Sequence, residues 1–475
     1  MAGCLFFCAC VALLIGGYFS YGKLMAANFQ PDENRPTPAQ TEYDGVDFVA
    51  MPTWKVVLIQ FLNISALGPV FGPLLGALYG PVSLLWIVFG CIFAGAVHDY
   101  YSGMLSIRYK GKSVPEIVNA NMGDLASQFM IYLSIVVLVL IGVVFVTVPA
   151  GFLASVSGKP NILWVYAILA YYFLATVTPI HTFIGRIYPV CMVIILIMTV
   201  SLPVMLFFKG YAVLPNLDFT TNTHISLPVW PMLFITIACG AISGFHSTQS
   251  PMMARCIGNE KMGRRVFYGS MIAEGVLALV WATIGLSFYE DAEGLRRALG
   301  PAGNTALVVR EVSNTLLGSG LGAVSIIAVA LLAITSGDTA FRSARLTIAD
   351  RFNFSQKTMK SRLLIAIPLL LAGVVLSHIN FGIIWRYFGW ANQTLAMVML
   401  WTTAVYLAQR GKCHWFCSIP AMFMTAATTT YLCFDKIGLG LSYWLAVAIG
   451  IVITAACFAF FLSKNRTPSS TPLDE

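Results

Sequence analysis

A stretch of polar and helix-breaking residues inside an apolar run restricts the fold of this chain more than any other feature. Residues 240–256 read GAISGFHSTQSPMMARC and follow the apolar residues 230–238. A membrane helix that carries glycines, a histidine, several hydroxyl and amide side chains and a proline near its centre must break, because lipid offers no partner to free backbone groups. Broken helices persist at membrane depth where they line a cavity, and secondary transporters bind substrates and ions there. The stretch therefore predicts a discontinuous helix at a binding site.

The composition indicates a polytopic α-helical membrane protein. Hydrophobic residues make up 58% of the 475 residues, charged residues make up 10%, and the mean hydropathy is +0.80. These values are typical of chains with many membrane helices. The formal net charge of +8 does not indicate nucleic-acid binding, because Lys and Arg stand mainly in short loops between apolar runs, where they orient helices in a membrane.

Motifs of enzymes and of metal sites are absent from the sequence. No HExxH or GxSxG motif occurs. Most of the eleven cysteines lie in apolar runs, where a small buried side chain is the better interpretation. Two groups, Cys4, Cys8, Cys10 and Cys413, Cys417, leave a metal or disulfide site as the alternative, but neither completes a ligand set. We therefore expect no enzyme, no cofactor and no metal site, apart from a coupling ion.

The apolar runs predict thirteen membrane spans. The first, at residues 2–20, has no cationic residue before it and Lys23 after it, which favours a retained helix with its N-terminus outside over a cleaved signal peptide. Residues 21–53 are polar and contain prolines, so a loop with no core of its own is expected. The further spans are expected at about residues 54–79, 80–104, 126–152, 162–180, 186–208, 230–255, 264–288, 314–350, 360–378, 381–408, 414–434 and 440–463.

Orientation and domain organisation follow from these spans. Alternating them across the bilayer puts most of the 28 Lys and Arg on one side, which identifies that side, and with it the C-terminus, as cytoplasmic. The expected units are a leading transmembrane helix at 1–22, a cytoplasmic loop at 23–53, a first five-helix repeat at 54–208, a second, inverted repeat at 230–408, two C-terminal transmembrane helices at 414–463 and a cytoplasmic tail at 464–475.

The first span after the leading helix is interrupted in the same way as residues 240–256. It contains Asn63, Ser65, Gly68 and two prolines, which break a continuous helix. Five spans separate the two breaks, and because five is odd, the second set of five must cross the membrane in the opposite sense. The sequence predicts an all-α polytopic membrane protein with a five-plus-five inverted repeat, two discontinuous helices, one extra N-terminal helix and two extra C-terminal helices.

Several longer strings resemble the carbon starvation protein A family of bacterial transporters. The resemblance covers about residues 50–410, and its strings are, in order, FGPLLGALYGP, GAVHDYYSGMLS, KSVPEIV, SGFHSTQSPMMARC, TSGDTAFRSARLTIAD and RYFGWANQTLAM. Many members are longer than this chain, so no function of their additional tail is carried over to it.

The resemblance implies ion-driven uptake of peptides across the bacterial cytoplasmic membrane during carbon starvation, or of pyruvate in some members. It also implies kinship with the amino acid, polyamine and organocation transporter superfamily, whose five-plus-five inverted fold agrees with the spacing of the breaks. The expected partners are a small-molecule substrate and the lipid bilayer. The choice between peptide and pyruvate, and between H⁺ and Na⁺, stays open. A channel or a nutrient sensor is the other class with this fold, but two inverted breaks favour alternating access.

The substrate is expected between the two breaks. A half-helix that begins near Ser250 would direct its partial positive charge at a carboxylate, which peptides and pyruvate both carry. For the histidine of the second break, the alternative is that it only pairs with loop carbonyls. The predicted substrate-binding residues are Asn63, Ser65, Gly68, Gly244, His246, Ser247, Thr248 and Gln249.

Two carboxylates are candidates for ion coupling. Glu274 lies about nine residues beyond Arg265, roughly 13 Å into its helix at 1.5 Å per residue, and is either a proton or cation site or a structural peg between helices. Asp338 is flanked by hydroxyl groups that suit Na⁺ or a proton relay, and in the superfamily its helix and the first broken helix hold a cation. An ion pair with Arg342, four residues on, is the alternative. The accompanying hydroxyl residues are Thr335, Ser336 and Thr339.

Four more polar residues are expected to act as gates or structural contacts. His98 and Asp99 end a predicted span near the cytoplasmic surface, where a gate or a packing role is expected rather than substrate contact. Asn392 and Gln393 are mid-membrane amides, which either bridge helices or touch the substrate.

Overall fold

The protein is a bundle of helices. In this computed structural model the described residues are 1–464 except 46, 178–180, 224–226, 301–302, 353, 355, 357 and 380, and only the backbone is described for 176, 177, 181–189 and 350. The described residues form helices and their connections, with one isolated β-bridge between Met51 and Ile257. The predicted all-α class is confirmed.

The helices follow one another with short connections. The leading segment and first half contain α1 Ala2–Phe19, α2 Tyr21–Phe29, α3 Pro38–Thr41, α4 Thr53–Ile64, α5 Gly68–Gly76, α6 Val82–Gly90, α7 Ala96–Arg108, α8 Val114–Met122, α9 Asp124–Ser157, α10 Asn161–Val177 and α11 His181–Phe208. The second half contains α12 Val229–Thr236, α13 Phe245–Ala254, α14 Gly269–Phe288, α15 Ala292–Leu299, α16 Thr305–Arg351, α17 Met359–Ser377 and α18 Phe381–Gln409, followed by α19 Trp415–Phe434 and α20 Tyr443–Lys464. A 3₁₀ turn, Ala77–Tyr79, extends α5, and π-helical turns at Cys91–Gly95 and Arg264–Tyr268 precede α7 and α14.

Several of these helices, alone or joined end to end, are long and apolar enough to cross a membrane. Among the described residues nine pass this test, and a tenth crossing results when α4 and α5 are counted together across their 46° bend. The other predicted spans are also helical: the shorter α10, the broken pair α12 and α13, and α18, which carries Arg386 in its second turn. The chain is therefore a multi-pass membrane protein.

The two broken helices pack against each other in opposite directions. α4, the first half of one, packs on α13, the second half of the other, and α5 packs on α12. Beside the first pair, the N–H of Met51 donates to the carbonyl of Cys256 over 3.0 Å, so α4 begins at the face where α13 ends. This is the inverted relation that the odd number of spans predicted.

The segment before α4 differs from the separate loop that the sequence predicted. The leading span continues as α2 to Phe29, whose buried ring lies against Tyr100 and Tyr101. Farther on, the N–H of Asp32 donates to the carboxylate of Glu260 over 2.8 Å. The segment therefore covers the face at which α4 begins, because both its aromatic ring and its backbone find partners there.

The orientation in the membrane is tested by a cysteine that the chain already has. Cys413 is exposed in the connection between α18 and α19. Its backbone N–H donates to the side-chain oxygen Oδ1 of Asn28 over 3.1 Å. Because the predicted topology makes this connection cytoplasmic, a membrane-impermeant maleimide should label it in inside-out vesicles but not in intact cells. Cys413→Ser is the control for labelling elsewhere. Labelling of Cys413 in intact cells would overturn the predicted orientation.

Candidate functional site

The second break lies between Thr236, where α12 ends, and Phe245, where α13 begins. The expectation that the second half-helix begins near Ser250 was wrong, because it begins more than one turn earlier. Asn392 of α18 stabilises this earlier start: its side-chain carbonyl accepts from the N–H of Phe245 over 2.7 Å. An acceptor of this kind replaces the partner that the first N–H groups of a helix lack.

The end of α12 is held in the same manner. The indole N–H of Trp86 donates to the carbonyl of Ile237 over 3.0 Å, and the amide of Gln393 donates to the carbonyl of Phe234 over 2.8 Å. Buried backbone groups need such partners, since no water reaches them. Asn392 and Gln393 thus bind the two sides of the break from adjacent positions on α18, which is helix bridging, one of the two interpretations that the sequence left open.

Ionisable side chains meet beside this break. Nδ1 of His246 lies 2.9 Å from Oδ2 of Asp99 on α7, and Nε2 of His246 lies 3.5 Å from Oε2 of Glu274 on α14. The other carboxylate oxygen of Asp99 lies 2.9 Å from Nδ1 of His98. All four side chains are fully buried, and buried ionisable groups are kept where they are paired or have a function. We call His246, Asp99 and Glu274 the buried triad.

Asp99 lies deeper than the sequence predicted. We expected it near the cytoplasmic surface, but α7 continues to Arg108, roughly 13 Å farther at 1.5 Å per residue. The π-helical turn at Cys91–Gly95 lies directly before α7. A Cβ at Gly95 would lie 2.2 Å from the carbonyl oxygen of Ala241, so glycine is required for this helix to approach the break. The partnership between Asp99 and His246 joins two distant spans, which is why sequence patterns did not predict it.

The first break presents amide and hydroxyl groups instead of charges. Both polar atoms of the buried Gln60 side chain and the hydroxyl of Ser65 have no hydrogen-bond partner among the described residues. The same holds for the side-chain carbonyl of Gln249 on α13, the helix that packs on α4. Buried polar groups without partners are costly. These atoms are therefore suited to bind a polar ligand between the breaks.

Gln60 is a candidate that the sequence interpretation missed. It stands one turn before Asn63, on the same face of α4, and an amide inside an apolar run is the signal that identifies it. Asn63 is buried as well. Gly68, half-buried, begins α5, and a Cβ there would lie 2.2 Å from Sγ of Cys239. The two breaks therefore touch at this point.

The hydroxyl groups of the second break bond to their own helix. Ser247 donates to the carbonyl of Gly244 over 2.6 Å, and Thr248 donates to the carbonyl of Phe245 over 2.7 Å. Of the residues predicted there, His246 and Gln249 keep one polar atom each, Nε2 and Oε1, without a hydrogen-bond partner in the described part of the chain. These two side chains are the better candidates for contact with a ligand.

Asp338 lies in different surroundings from the triad. Its carboxylate is 3.6 Å from Nη2 of Arg342, which is the ion pair that the sequence left as an alternative to a cation site. The hydroxyls of Thr335 and Thr339 donate to carbonyls of α16 itself, each over 2.8 Å. The hydroxyl of Ser336 is buried without a described partner. These contacts favour the ion pair over a Na⁺ site at Asp338.

The two sides of the breaks differ in access. On the side of α5 and α12, a cavity of about 380 Å³ is lined by residues that include Leu75, Thr236 and Trp385. On the opposite side, Nε and Nη2 of Arg108 lie 2.7 and 2.9 Å from the two carboxylate oxygens of Glu260. The contact through Nη2 is a charge-assisted hydrogen bond, which is stronger than a bond between neutral groups. The structure is thus closed at the face where α4 begins and has its cavity on the other side.

Comparisons with known proteins place the chain among transporters. The sequence model of the family described as carbon starvation protein CstA matches residues 2–163, 153–313 and 291–431. An uncharacterized membrane protein of Haemophilus influenzae is 42% identical over 62% of this chain and 94% of its own length. The peptide transporter CstA of Campylobacter jejuni is 27% identical over 88% of this chain and 78% of its own. The pyruvate/proton symporter BtsT of Escherichia coli is 26% identical over 62% of this chain and 50% of its own.

Solved structures with a similar fold include secondary transporters. A Na⁺-coupled sialic acid symporter is 12% identical and superposes with a TM-score of 0.57 over 97% of this chain and 99% of its own. A nucleobase-cation-symport-1 family transporter is 14% identical, with a TM-score of 0.53 over 92% of this chain and 97% of its own. At this identity the likeness concerns the fold alone, and the expected inverted-repeat transporter fold is confirmed.

The close packing of the second break against α18 can be tested by adding a single methyl group at Gly244. A Cβ at Gly244 would lie 2.2 Å from the carbonyl oxygen of Asn392 and 2.5 Å from the backbone nitrogen of Ala396. We expect Gly244→Ala to destabilise the protein by about 1–3 kcal/mol, the usual cost of overpacking, and to lower the midpoint of thermal unfolding in detergent. Gly151→Ala is the control, because no atom lies within 4 Å of its added Cβ. Equal midpoints for the two variants would contradict this packing.

Proposed function

We propose that this chain, which belongs to the carbon starvation protein CstA family, is a proton-coupled secondary transporter that takes up peptides across the bacterial cytoplasmic membrane by alternating access. The proposal combines the family, the fold and the site. The relatives that carry a functional name are transporters. The expectation that this chain is not an enzyme is therefore supported.

The observation that carries the proposal is the position of the buried triad beside the second break. The two ring nitrogens of His246 face Asp99 and Glu274. When all three groups are charged, two carboxylates stand against one imidazolium, and the triad has one negative charge in excess. A net charge inside a membrane is costly. One further bound cation removes it, which couples the movement of the protein to the binding of that cation.

The donor atoms of the triad favour a proton as this cation. His246 and His98 both pair with Asp99, so imidazole nitrogens occupy positions at which Na⁺ would need oxygen ligands. Imidazole and carboxylate groups in contact exchange protons readily, as in the proton relays of other membrane transporters. A relative named as a pyruvate/proton symporter supports the same ion.

The substrate site that we propose lies between the two breaks. Gln60, Ser65 and Gln249 supply hydrogen-bonding atoms that the protein leaves without a described partner. The N-terminus of α5 carries a partial positive charge suited to a carboxylate, whereas the corresponding end of α13 is already capped by Asn392. Asn63 is the proposed acceptor for a peptide amino group. None of these side chains lines the cavity of about 380 Å³ on the side of α5 and α12, so we take that cavity as the approach to the site and not as the site itself.

Pyruvate is the second candidate substrate. It needs the carboxylate site but no acceptor for an amino group, so fewer of the buried amides would be used. The similarity to a pyruvate/proton symporter is the observation that favours it. Peptide remains the first candidate, because the relative that covers more of this chain is named a peptide transporter.

The cycle that we propose begins from an outward-facing form. With the N-terminus outside, the ion pair of Arg108 and Glu260 lies at the cytoplasmic face and the cavity opens to the exterior. Breaking this pair would free the turn Glu260–Met262, which follows α13, from the end of α7 and admit the substrate to the cytoplasm. His98 and Asp99 lie between this pair and the second break on the same helix, so protonation of the triad is well placed to affect the gate.

The function is tested by uptake into proteoliposomes. Labelled dipeptides and labelled pyruvate are supplied in turn, each with an imposed proton gradient, an imposed sodium gradient or no gradient. The proposal expects accumulation of dipeptides with the proton gradient alone. Accumulation that requires sodium would refute the coupling ion, accumulation of pyruvate alone would refute the substrate, and gradient-independent equilibration of either would identify a channel.

The triad should be required for accumulation but not for exchange. Glu274→Gln and Asp99→Asn remove a carboxylate that gives up its proton in each cycle, so uphill uptake should be lost while exchange of internal for external substrate continues. Glu293→Gln is the control, because this carboxylate on α15 is exposed and pairs with Arg296. If accumulation survives in both triad variants and is lost in Asp338→Asn, the coupling site lies on α16 instead.

Gln60 should matter for the substrate and not for the fold. Replacing an unpaired buried amide by an apolar side chain of similar size is neutral or stabilising, so Gln60→Leu should keep or raise the unfolding midpoint. Loss of one substrate hydrogen bond, about 0.5–1.5 kcal/mol, should raise the KM by roughly 2- to 12-fold. Asn392→Leu is the contrasting variant. It removes the side-chain oxygen that accepts from the first N–H group of α13, so it should lower the unfolding midpoint. An unchanged KM in Gln60→Leu would exclude Gln60 from the site.

A further inference from the structure

Cys239 places a thiol beside the imidazole and carboxylate groups of the buried triad. It lies in the unwound segment between α12 and α13, and its thiol is buried. Sγ of Cys239, a ring nitrogen of His246 and a carboxylate oxygen of Glu274 all lie within 4.8 Å of one another. Three different ligand types therefore converge on one point, from the break and from α14.

Several atoms at this point lack a partner. Nε2 of His246 and both carboxylate oxygens of Glu274 have no hydrogen-bond partner among the described residues, and both side chains are fully buried. The thiol of Cys239 donates to the hydroxyl of Ser243 over 3.5 Å and also lies against the ring of His246. Unpaired donors and acceptors that face one another in a dry site are costly. A bound ion that accepts all three lone pairs would remove that cost.

The spacing is suited to a transition metal. Tetrahedral Zn²⁺, with bonds of about 2.0–2.3 Å to N, O and S, holds its ligand atoms roughly 3.3–3.6 Å apart. Nε2 of His246 and Oε2 of Glu274 already lie 3.5 Å apart. The sulfur lies within 4.8 Å of both, so a side-chain movement of about 1 Å completes the geometry. Thiolate and imidazole are ligands that Zn²⁺ and Co²⁺ accept, whereas Mg²⁺ and Ca²⁺ prefer oxygen.

The hydrogen-bond partner of the second ring nitrogen of His246 is also the one that a metal-binding histidine usually has. A histidine that binds a metal through one nitrogen usually donates its other N–H to a carboxylate, which orients the ring. His246 has this arrangement, because its Nδ1 lies 2.9 Å from Oδ2 of Asp99 and leaves Nε2 directed at Glu274. Asp99 is itself held by His98 at 2.9 Å. In this role Asp99 is a positioning residue for the metal ligand.

We propose that Cys239, His246 and Glu274 form a binding site for a borderline divalent transition metal ion such as Zn²⁺, with a fourth coordination position left for water. The metal would displace protons from the thiol and from Nε2 of His246 and would join the unwound segment to α14. Because the triad must exchange a proton for transport, an ion held there blocks the cycle. The site is thus inhibitory, and it exists whether the substrate is a peptide or pyruvate.

Access to the site is from the cavity side. The cavity of about 380 Å³ includes Thr236 in its wall, and Thr236 is the last residue of α12, three positions before Cys239. We therefore expect an ion to approach the break from this cavity and not from the closed face at Arg108 and Glu260. Inhibition is expected from the side of the cavity.

Cobalt is the probe for this site, because a Co²⁺ ion bound by a thiolate gives a sulfur-to-metal charge-transfer band. Purified full-length protein is titrated with Co²⁺ after the exposed thiols of Cys8 and Cys413 have been replaced by serine. We expect the band in this protein, its loss in Cys239→Ser, and at least a tenfold weaker affinity in Glu274→Gln. Asp99→Asn should weaken Co²⁺ binding by about 10- to 100-fold while the band persists at saturation, as a second-shell change does.

Cys91→Ser is the matched control. Cys91 is also buried, and its thiol donates to the carbonyl of Met271 on α14 over 3.3 Å, so this variant should keep the band and the affinity. Absence of the band in the parent protein, its persistence in Cys239→Ser or its loss in Cys91→Ser would each overturn the proposal. In uptake assays Zn²⁺ should lower the rate of the parent protein and not that of Cys239→Ser, each measured against its own rate without metal. The binding spectrum is independent of transport, so its failure leaves the proposed function standing.

Discussion

The structure depends on one constraint: a backbone that leaves the helix at membrane depth must find other partners for its N–H and C=O groups. At the second break, α18 supplies them from two adjacent residues. Asn392 accepts from Phe245, and Gln393 donates to Phe234. The indole of Trp86 adds a third contact, to Ile237. With these bonds in place the segment between α12 and α13 remains unwound, and it holds functional groups inside the bundle.

The same constraint brings charge to the break. Once α7 approaches through Gly95, Asp99 comes within 2.9 Å of His246, which in turn faces Glu274. Each of these groups alone would be costly in an apolar bundle. Together they form the pair of His246 with Asp99 and a further carboxylate, Glu274. In the proposed function, the net charge of these three groups changes when one proton binds. The buried triad, the unpaired amides of the first break and the ion pair at the closed face are the three parts on which the proposed coupling depends.

Local sequence patterns predicted the architecture well, because glycine, proline and polar residues in apolar runs interrupt a helix within a few residues of their own positions. The presence of two breaks, the inverted order of the halves and the inclusion of His246 and Glu274 in the candidate site followed from such patterns, whereas the bounds of the second break did not. Properties that depend on contacts between distant spans did not. Tertiary contacts determine the depth of Asp99 and the start of α13 at Phe245 instead of near Ser250. They also determine the convergence of Cys239 on the triad and the packing of the segment before α4 on the closed face.

Asp338 shows in another way that a sequence pattern does not determine which partners a polar side chain finds. Its neighbours Thr335 and Thr339 resemble oxygen ligands in the sequence, but in the helix their hydroxyls donate to backbone carbonyls, and the carboxylate pairs with Arg342. Gln60 is the converse case, since nothing but its position in an apolar run marked it, and its polar atoms are among those left unpaired.

The central claim is that the triad exchanges a proton in step with the substrate. It is tested most directly by adding a zwitterionic dipeptide to proteoliposomes that contain a pH-sensitive dye, with no imposed gradient, and recording dipeptide uptake and internal pH together. The account predicts that the lumen acidifies in proportion to the dipeptide taken up, and that neither signal appears alone. Uptake with no change in internal pH would contradict it.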